Sequence, residues 1–388
     1  MHDDGGHDFA ARANGFQRSQ IRVMFDLAED AAANGADLVR LEVGEPDFDT
    51  PERITQSAFE AVRAGATDYT ASTGIDPLRR AIADELDGYE LDYDPEQVLV
   101  TVGGMEALHV TMLTLVDAGE KVIVPSPTWP NYEIHAALAD GQFREVPLPY
   151  PYDLDADRLI DVIDDDTAAV VLTTPSNPTG RVYDPEPIRR VVASAATHDA
   201  YVIADEVYAG LTYDRDATGI AALVDHPERV VTVGSLSKTH AMTGWRLGWL
   251  AADEPVVEAA TGVREATTSC PSAPSQHAAL AALTGPNDAE REMYAAFRER
   301  RDYVANRLAE MSGVRAPRPE GAFYAFLDVE GATDSMALAR ELLTDHGVVL
   351  APGSGFGAGD EGRLRLSFAN SKQRLRVGLD RLAAGLDE

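Results

Sequence analysis

One lysine and one arginine, eight residues apart, are the residues of this sequence best suited to chemistry. They lie in the stretch 233–249, which reads V-G-S-L-S-K-T-H-A-M-T-G-W-R-L-G-W. The chain has 33 Lys and Arg residues, and only three of them are lysines: Lys121, Lys238 and Lys372. A lysine amine can form an imine with an aldehyde, whereas an arginine guanidinium cannot. Lys238 is therefore the first catalytic candidate, although a solvated lysine at a helix start would look the same in isolation.

A second candidate site is a strand, a glycine pair and a helix in succession. Residues 98–102 predict a buried strand, Gly103 and Gly104 a tight turn, and Met105 the start of a helix. Backbone N–H groups and the positive end of the helix dipole at such a start favour a bound phosphate. Many glycine turns hold no ligand, so this prediction requires other phosphate-binding groups to converge on it.

Polar and aromatic candidates follow three further predicted strands. Trp129 could stack on a planar ring, or pack in a core or interface. The Asn177-Pro178 bond is a candidate cis peptide that would aim the Asn177 amide into a cleft. Asp205 and Tyr208 could present a carboxylate and a hydroxyl to one ligand, or could be solvated groups at a strand end. Ligands collect at this edge in open α/β sheets.

Three other candidates lie outside these strand ends. Gly44, in G-E-P-D-F-D-T-P, could let the backbone approach a ligand or could form a plain turn. Tyr69 lies in a polar loop where its hydroxyl has no obvious core to join. Arg363 and Arg365 alternate with leucines and share one strand face. In a cleft, such an arginine clamps a carboxylate with two hydrogen bonds, whereas on an open face it is a solubility charge.

The elements that must position these residues change in type along the chain. Strands alternate with helices up to residue 251, which predicts an α/β domain with a mostly parallel sheet flanked by helices. A long helix over 289–311 and several short strands then predict a smaller α+β domain. We expect an N-terminal arm and part of the small domain at 1–44, the large domain at 45–285, and the rest of the small domain at 286–388.

Composition narrows the class of protein. The 388 residues are 45% hydrophobic, enough for two cores, and no apolar run is long enough to span a membrane. The acidic N-terminus does not resemble a secretory signal, so we expect a cytoplasmic protein. A single cysteine, Cys270, excludes an internal disulfide, and the nine histidines show no metal-binding spacing. No metal site is predicted.

The net charge of −32 argues against nucleic-acid binding, because a phosphate backbone would be repelled. Such an acidic chain with few lysines suits a high-salt cytoplasm. There the Debye length falls to about 3 Å near 1 M salt, and repulsion between surface carboxylates is screened.

The motifs together resemble the class I and II aminotransferases of the aspartate aminotransferase superfamily, which are fold type I pyridoxal-phosphate enzymes. The resemblance covers roughly residues 20–386 and is carried by eight motifs in the family's order. They are G-E-P-D-F-D-T-P, Y-T-x3-G, V-G-G-M-E-A-L, P-T-W-P-N-Y, P-S-N-P-T-G, D-E-V-Y, S-L-S-K-x7-R and R-L-R-L-S-F-A.

The resemblance implies a role for each candidate residue. Lys238 would form the imine with the aldehyde of pyridoxal 5'-phosphate and then act as general base and acid. Asp205 would keep the pyridine nitrogen protonated. Tyr208 and Asn177 would hydrogen-bond the phenolic oxygen of the ring, and Trp129 would stack on it.

The phosphate and the substrate carboxylate are assigned in the same way. The residues implied for the phosphate are Gly103, Gly104, Met105, Ser235, Ser237, Arg246 and Tyr69. Tyr69 would arrive from a partner subunit, which implies a homodimer with shared active sites. Arg365, with Asn177, Trp129 and the Gly44 backbone, would bind the substrate.

Substrate choice stays open at this point. Met105 stands where a lysine could have bound a second carboxylate, and Arg264, Thr267 and Thr268 are possible contributors from a partner subunit. We expect an enzyme similar to aspartate aminotransferase, with 2-oxoglutarate as acceptor. Aromatic or aliphatic amino donors and C–S β-lyase chemistry on the same fold are the alternatives. A transcription regulator with an aminotransferase-like domain is disfavoured by the negative charge.

Overall fold

The computed structural model describes residues 19–357 and 359–386, so residues 1–18 of the predicted N-terminal arm lie outside the described residues. Within the described ranges the strands form sheets of seven, four and two strands. The seven-stranded sheet lies in the middle of the sequence, and the two smaller sheets join residues from both ends of it.

The seven-stranded sheet has the order β2-β8-β7-β6-β5-β3-β4. Its strands are β2 (Val98–Thr101), β3 (Lys121–Ser126), β4 (Gln142–Pro147), β5 (Thr167–Thr173), β6 (Tyr201–Asp205), β7 (Val230–Ser235) and β8 (Gly248–Ala251). All neighbours pair in parallel except β8, which is antiparallel to β2 and β7. The carboxyl ends of β3, β5, β6 and β7 therefore lie at one edge of the sheet.

Helices cover both faces of this sheet, as a parallel sheet requires. They are α2 (Glu52–Arg63), α3 (Asp76–Asp87), α4 (Gly103–Leu115), α5 (Asn131–Leu138), α6 (Ala156–Ile160), α7 (Pro185–Thr197), α8 (Leu236–Thr239), α9 (Glu254–Thr267) and α10 (Ala273–Thr284). Alternate residues of β5 point to opposite cores: Val170 and Leu172 join one buried cluster, and Ala169 and Val171 join the other. The strand is buried along its whole length.

The remaining elements build a second hydrophobic core. They are α1 (Gln20–Ala33), β1 (Val39–Arg40), α11 (Asp288–Ala309), β9 (Val314–Arg315), β10 (Tyr324–Val329), α12 (Ser335–His346), β11 (Val348–Val349), β12 (Ala351–Pro352), β13 (Arg363–Ser367) and α13 (Lys372–Leu386). The four-stranded sheet is antiparallel with the order β12-β13-β10-β9, and β1 pairs in parallel with β11. Met24 and Ala28 of α1 are buried in this core beside C-terminal residues.

The predicted fold class is confirmed: a mostly parallel α/β sheet flanked by helices, with a smaller sheet region. One local expectation was wrong, because α4 begins at Gly103 and not at Met105. Both glycines lie within the helix, and Gly103, whose positive φ of 79° is open to glycine, is the residue at which the chain turns from the strand into the helix.

No helix in the described ranges combines the length and apolar character needed to cross a bilayer.

Candidate active site

A cavity of about 630 Å³ lies between the carboxyl edge of the seven-stranded sheet and the four-stranded sheet. Most of the residues singled out in the sequence line it: Gly44, Gly104, Met105, Trp129, Asn177, Asp205, Tyr208, Ser235, Ser237, Lys238, Arg246 and Arg365. Gly103 lies directly behind the wall of the cavity, and Tyr69 lies elsewhere. The structure thus brings together residues from eight separate stretches of sequence.

Lys238 lies in α8, the single helical turn that follows β7. Its Nζ donates a hydrogen bond to the backbone oxygen of Gly44 at 2.7 Å. Burial lowers the pKa of Lys238 to about 8; the negative charge of Glu45 opposes this effect, and the positive charges of Arg365 and Arg246 add to it. A lowered pKa leaves a larger fraction of the amine neutral, and the neutral form is the nucleophile.

Asp205 is the last residue of β6 and is only 4% exposed. Its carboxylate accepts a hydrogen bond from the Tyr132 hydroxyl, which also lies 2.7 Å from the Thr173 hydroxyl. Burial raises the pKa of Asp205. A buried carboxylate at a cavity wall is stabilised by a cationic partner, such as a protonated ring nitrogen.

Tyr132 was not predicted as a site residue. It lies three positions after Trp129, in the segment that follows β3, and the Trp129 and Tyr132 rings pack edge to face at 5.5 Å. Its position after a buried strand at the ligand-binding edge was the signal that could have identified it.

The start of α4 forms a cradle for an anion. A Cβ added at Gly103 would lie 2.7 Å from Nη2 of Arg246, and one at Gly104 would lie 3.2 Å from the Val207 side chain. Side chains at these positions would therefore displace the arginine or narrow the cavity. The helix N-terminus presents unpaired N–H groups at the same place.

Two serines and an arginine complete this cradle. The hydroxyls of Ser235 and Ser237 lie 2.8 Å apart, and Ser235 also accepts the Ser237 N–H at 3.1 Å. Arg246 has a left-handed backbone with φ of 52°, an unfavourable conformation for a residue with a Cβ. Such strain tends to occur at functional sites, and here it accompanies the guanidinium that faces Gly103.

Asn177 and Arg365 meet at the opposite wall. The Asn177–Pro178 peptide is cis, as the sequence suggested. Arg365 donates to Oδ1 of Asn177 at 3.1 Å and to the backbone oxygen of Glu42 at 2.6 Å. Because Oδ1 already accepts this bond, the Asn177 amide has its NH₂ group left to donate. The Arg365 Nε–H is buried and has no hydrogen-bond partner among the described residues. The arginine lines the cavity, and a guanidinium in a cleft suits a carboxylate.

Tyr324 is the second residue that sequence analysis missed. It begins β10 and lines the cavity, and its hydroxyl lies 3.0 Å from that of Tyr208. The tyrosine lies in one of the short strands predicted for the small domain, and nothing in the sequence separates it from other core aromatics.

Tyr69 does not join the cavity of its own chain. It is 88% exposed and lies in a separate surface recess with Cys270 and Pro271. A role at an active site would therefore require the site of another subunit.

Of the residues considered as partners for a second substrate carboxylate, Met105 lines the cavity and Arg264 does not. The Met105 sulfur lies 3.5 Å from the Asn131 amide nitrogen and 3.2 Å from Nε2 of His135. Arg264 is fully buried behind α4, 3.7 Å from the Glu106 carboxylate, which Thr268 also contacts. Because its side chain is enclosed, Arg264 is poorly placed to reach a partner's cavity.

Comparison with known proteins agrees with this geometry. The sequence profile of the family described as "Aminotransferase class I and II" matches residues 36–382. The chain belongs to the class I and II aminotransferases. Members of this family use pyridoxal 5'-phosphate, so the resemblance and cofactor predicted from the ordered motifs are confirmed.

Individual aminotransferases match over nearly the whole chain. An aspartate aminotransferase of Thermotoga maritima is 37% identical over 94% of this chain and 97% of its own length. An aromatic-amino-acid aminotransferase of Thermococcus litoralis is 36% identical over 95% of this chain and 96% of its own. A solved double mutant of Thermus thermophilus aspartate aminotransferase superposes with a TM-score of 0.92 at 35% identity, covering 98% of this chain and all of that one.

The cavity fits the aminotransferase cofactor. A glycine cradle at a helix start, with two hydroxyls and an arginine, suits a phosphate. A buried lysine of lowered pKa and a buried aspartate suit an aldehyde and a ring nitrogen.

Proposed function

We propose that this aminotransferase moves the amino group of an L-α-amino acid to 2-oxoglutarate, with a substrate range similar to that of aspartate aminotransferases. The observation that carries the proposal is the buried amine of Lys238 in a cavity that also contains the Asp205 carboxylate and the Arg365 guanidinium. The amine suits the aldehyde of the cofactor, the carboxylate suits its ring nitrogen, and the guanidinium suits the α-carboxylate of the substrate.

When bound, pyridoxal phosphate supplies an aldehyde for amines and a conjugated ring that spreads the negative charge of a substrate carbanion. In our proposal Lys238 holds the cofactor and moves the proton at the substrate α-carbon, first as base and then as acid. Asp205 stabilises positive charge at the ring nitrogen. Tyr208 and Asn177 donate hydrogen bonds to the ring oxygen, and Trp129 packs against the ring.

We assign the phosphate to the cradle at the start of α4. The groups that would hold it are the backbone at Gly103, Gly104 and Met105, the hydroxyls of Ser235 and Ser237, and the guanidinium of Arg246. We assign the substrate α-carboxylate to Arg365, assisted by Asn177 and the Gly44 backbone, with Trp129 beside it. A single site for this carboxylate explains how the amino donor and the oxo-acid acceptor can use the same cavity in turn.

We also propose a homodimer in which Tyr69 reaches the phosphate of the partner subunit. Its high exposure, in a recess separate from the cavity of its own chain, supports this assignment. The proposal includes a cytoplasmic protein suited to high salt, supported by the acidic composition. It divides the chain into the arm and small-domain segment 1–44, the large domain 45–285 and the small domain 286–388.

An aromatic or aliphatic amino donor is the second candidate. The thioether of Met105 forms part of the cavity wall and is held by Asn131 and His135, so it presents an apolar surface rather than a cation. The aromatic-amino-acid aminotransferase among the similar proteins supports this alternative. C–S β-lyase chemistry would release pyruvate and ammonia without an oxo-acid acceptor.

The central test compares Lys238→Ala with Lys121→Ala, a lysine ion-paired to Asp164 outside the cavity. The cofactor is fixed to the purified protein by borohydride reduction, and the modified peptide is identified by mass spectrometry. We expect attachment at residue 238 in the wild type and in Lys121→Ala. Lys238→Ala should lose it, and its turnover should fall by about 10³-fold or more.

Retained turnover in folded Lys238→Ala, or attachment at another lysine, would refute the assignment. Substrate class is then read by mixing the holoenzyme with each standard amino acid and 2-oxoglutarate, and by measuring oxo-acid products. Pyruvate and ammonia without acceptor would establish the lyase alternative instead.

A further inference from the structure

We propose that Tyr324 is a positioning residue that links the cofactor end of the cavity to the end that binds the substrate carboxylate. It would act through Tyr208, Gly44 and Arg365, not by contact with the reacting atoms. The inference rests on the proposed function, because Tyr208 and Arg365 take their roles from it.

The first link is the hydrogen bond between the two tyrosines. Tyr208 follows β6 of the large sheet, and Tyr324 begins β10 of the four-stranded sheet, so their hydroxyl contact of 3.0 Å joins the two regions. A phenol has one hydrogen to donate. If Tyr208 gives its hydrogen to the ring oxygen of the cofactor, its bond with Tyr324 must be one that it accepts.

With the cofactor bound, Tyr324 would then be the donor, which leaves the Tyr208 hydrogen available for the ring oxygen. Burial raises the pKa of both phenols, so both keep their protons at neutral pH. A donor chain of this kind also polarises the second hydroxyl and strengthens the hydrogen bond that it gives.

The second link is the packing of Arg365 on the Tyr324 ring. The guanidinium carbon lies 4.5 Å from the centre of this ring and 4.9 Å from that of Phe356. Attraction between a cation and an aromatic face holds the planar guanidinium in one orientation. The same tyrosine thus supports the group that we assign to the substrate carboxylate.

The third link is the contact of Tyr324 with the backbone at Gly44. A Cβ added at Gly44 would lie 2.6 Å from the Tyr324 hydroxyl but 3.6 Å from the adjacent ring carbon. Only the hydroxyl therefore forbids a side chain there. Gly44 also provides the backbone oxygen that receives the Lys238 amine at 2.7 Å, so a shift at Gly44 would move the lysine's partner.

The first test measures the bound cofactor in Tyr324→Phe. Its absorbance is followed against pH, and the control is Tyr152→Phe, which removes the hydroxyl of another buried tyrosine outside the cavity. Without the Tyr324 donor, the hydrogen bond from Tyr208 to the ring oxygen weakens, and the cofactor keeps its proton to higher pH. We expect the midpoint to rise by about 0.5 to 1 unit in Tyr324→Phe and to stay at the wild-type value in Tyr152→Phe.

The second test introduces Gly44→Ala with and without Tyr324→Phe. In the tyrosine background the new methyl group collides with the hydroxyl, so we expect kcat/KM to fall by about tenfold or more. In the phenylalanine background the collision is absent, and the additional loss should be less than about threefold. The two substitutions should therefore be strongly non-additive.

Either of two results would overturn the inference. One is a midpoint in Tyr324→Phe that equals that of Tyr152→Phe. The other is an equal loss from Gly44→Ala in both backgrounds, which would mean that the hydroxyl does not position this backbone. Absence of cofactor from Lys238 in the wild type would instead refute the proposed function, so the two failures are distinguishable.

Discussion

The two ends of the cavity are built in different ways. The end that we assign to the cofactor is built from the carboxyl edge of the seven-stranded sheet and the start of α4, where backbone N–H groups are free to bind an anion. The end that we assign to the substrate carboxylate joins residues that are distant in sequence: Arg365 donates to the Asn177 side chain, 188 positions away, and to the backbone oxygen of Glu42, 323 positions away. The first end therefore depends on the backbone shape of one strand-to-helix turn, whereas the second depends on contacts between residues far apart along the chain.

The largest effect confined to one end of the cavity is expected from Arg365→Lys. Lysine keeps the positive charge but lacks the planar fork that donates two hydrogen bonds to a carboxylate. We expect kcat/KM for the amino acid to fall by about 100- to 1000-fold, because truncating a buried charge pair costs about 2–5 kcal/mol. Steady-state kinetics measures this loss, and the amount of bound cofactor should not change.

Arg363→Lys is the matched control, since Arg363 lies on the same strand but pairs with Asp360 outside the cavity. Its kcat/KM should stay close to that of the wild type. An equal loss in both variants would show that the effect belongs to the strand and not to the substrate site.

The next largest effect should come from Gly103→Ala, which alters only the cofactor end. The positive φ of 79° disfavours a side chain, and the added Cβ would lie 2.7 Å from Arg246. We expect the dissociation constant of pyridoxal phosphate to rise by about tenfold or more. The added methyl group would strain the cradle by about 1–2 kcal/mol whenever it closes on the phosphate, and an open cradle without cofactor would relieve this strain. Equilibrium titration of the cofactor measures it.

Gly119→Ala is the matched control, which separates the effect of backbone strain from the effect of displacing Arg246. Gly119 has a positive φ of 90° and nothing within 4 Å of an added Cβ. This variant should lose stability without losing cofactor affinity. Comparable affinity in Gly103→Ala and the wild type would argue against the cradle.

The next prediction concerns the titration of the Lys238 amine, which lies between the two ends of the cavity. Its lowered pKa of about 8 means that the neutral amine predominates above pH 8, instead of only above the ordinary value of 10.5. Labelling of the cofactor-free protein with an amine-directed reagent should therefore increase with pH at residue 238, with a midpoint near 8. Peptide mass spectrometry gives the midpoint, and Lys372 is an exposed internal reference. A midpoint near 10.5 would contradict the burial argument.

The smallest effect should be that of salt, which acts on the whole surface and not on either end. The net charge of −32 produces self-repulsion that ions screen. We expect the melting temperature to rise steadily with KCl up to molar concentration. Arg365→Lys should still lose kcat/KM, and Gly103→Ala should still lose cofactor affinity, at every salt concentration. A melting temperature independent of KCl would remove the high-salt prediction.

Much of the cofactor end could be predicted because its residues follow strands and glycine turns that the sequence marks clearly. Asp205 ends a run of buried residues, and Gly103 starts an apolar helix. Their positions follow from the order of strand, turn and helix and from the rule that ligands bind at the carboxyl edge. The predicted start of α4 is two residues late, because glycines weigh against a helix in a sequence although Gly103 and Gly104 lie in its first turn.

Tyr132 follows β3 at the same edge, so this rule could have identified it, whereas it could not identify Tyr324. Tyr324 is an aromatic residue in an otherwise apolar segment, and the same pattern fits a tyrosine that only fills a core. The hydroxyl partners of the two tyrosines, Asp205 and Tyr208, lie at the end of β6 and just after it. Only the folded chain shows that these hydroxyls meet the candidate site residues.

The sequence by itself determined the class of fold, the family and the chemical groups available, because periodicity, turn residues and ordered motifs are local properties of the chain. The tertiary structure decided which groups share one cavity, how far burial lowers the pKa of Lys238, and that Gly44 must lack a side chain beside Tyr324. The physical reason is that burial, charge proximity and steric exclusion depend on distances between residues far apart along the chain.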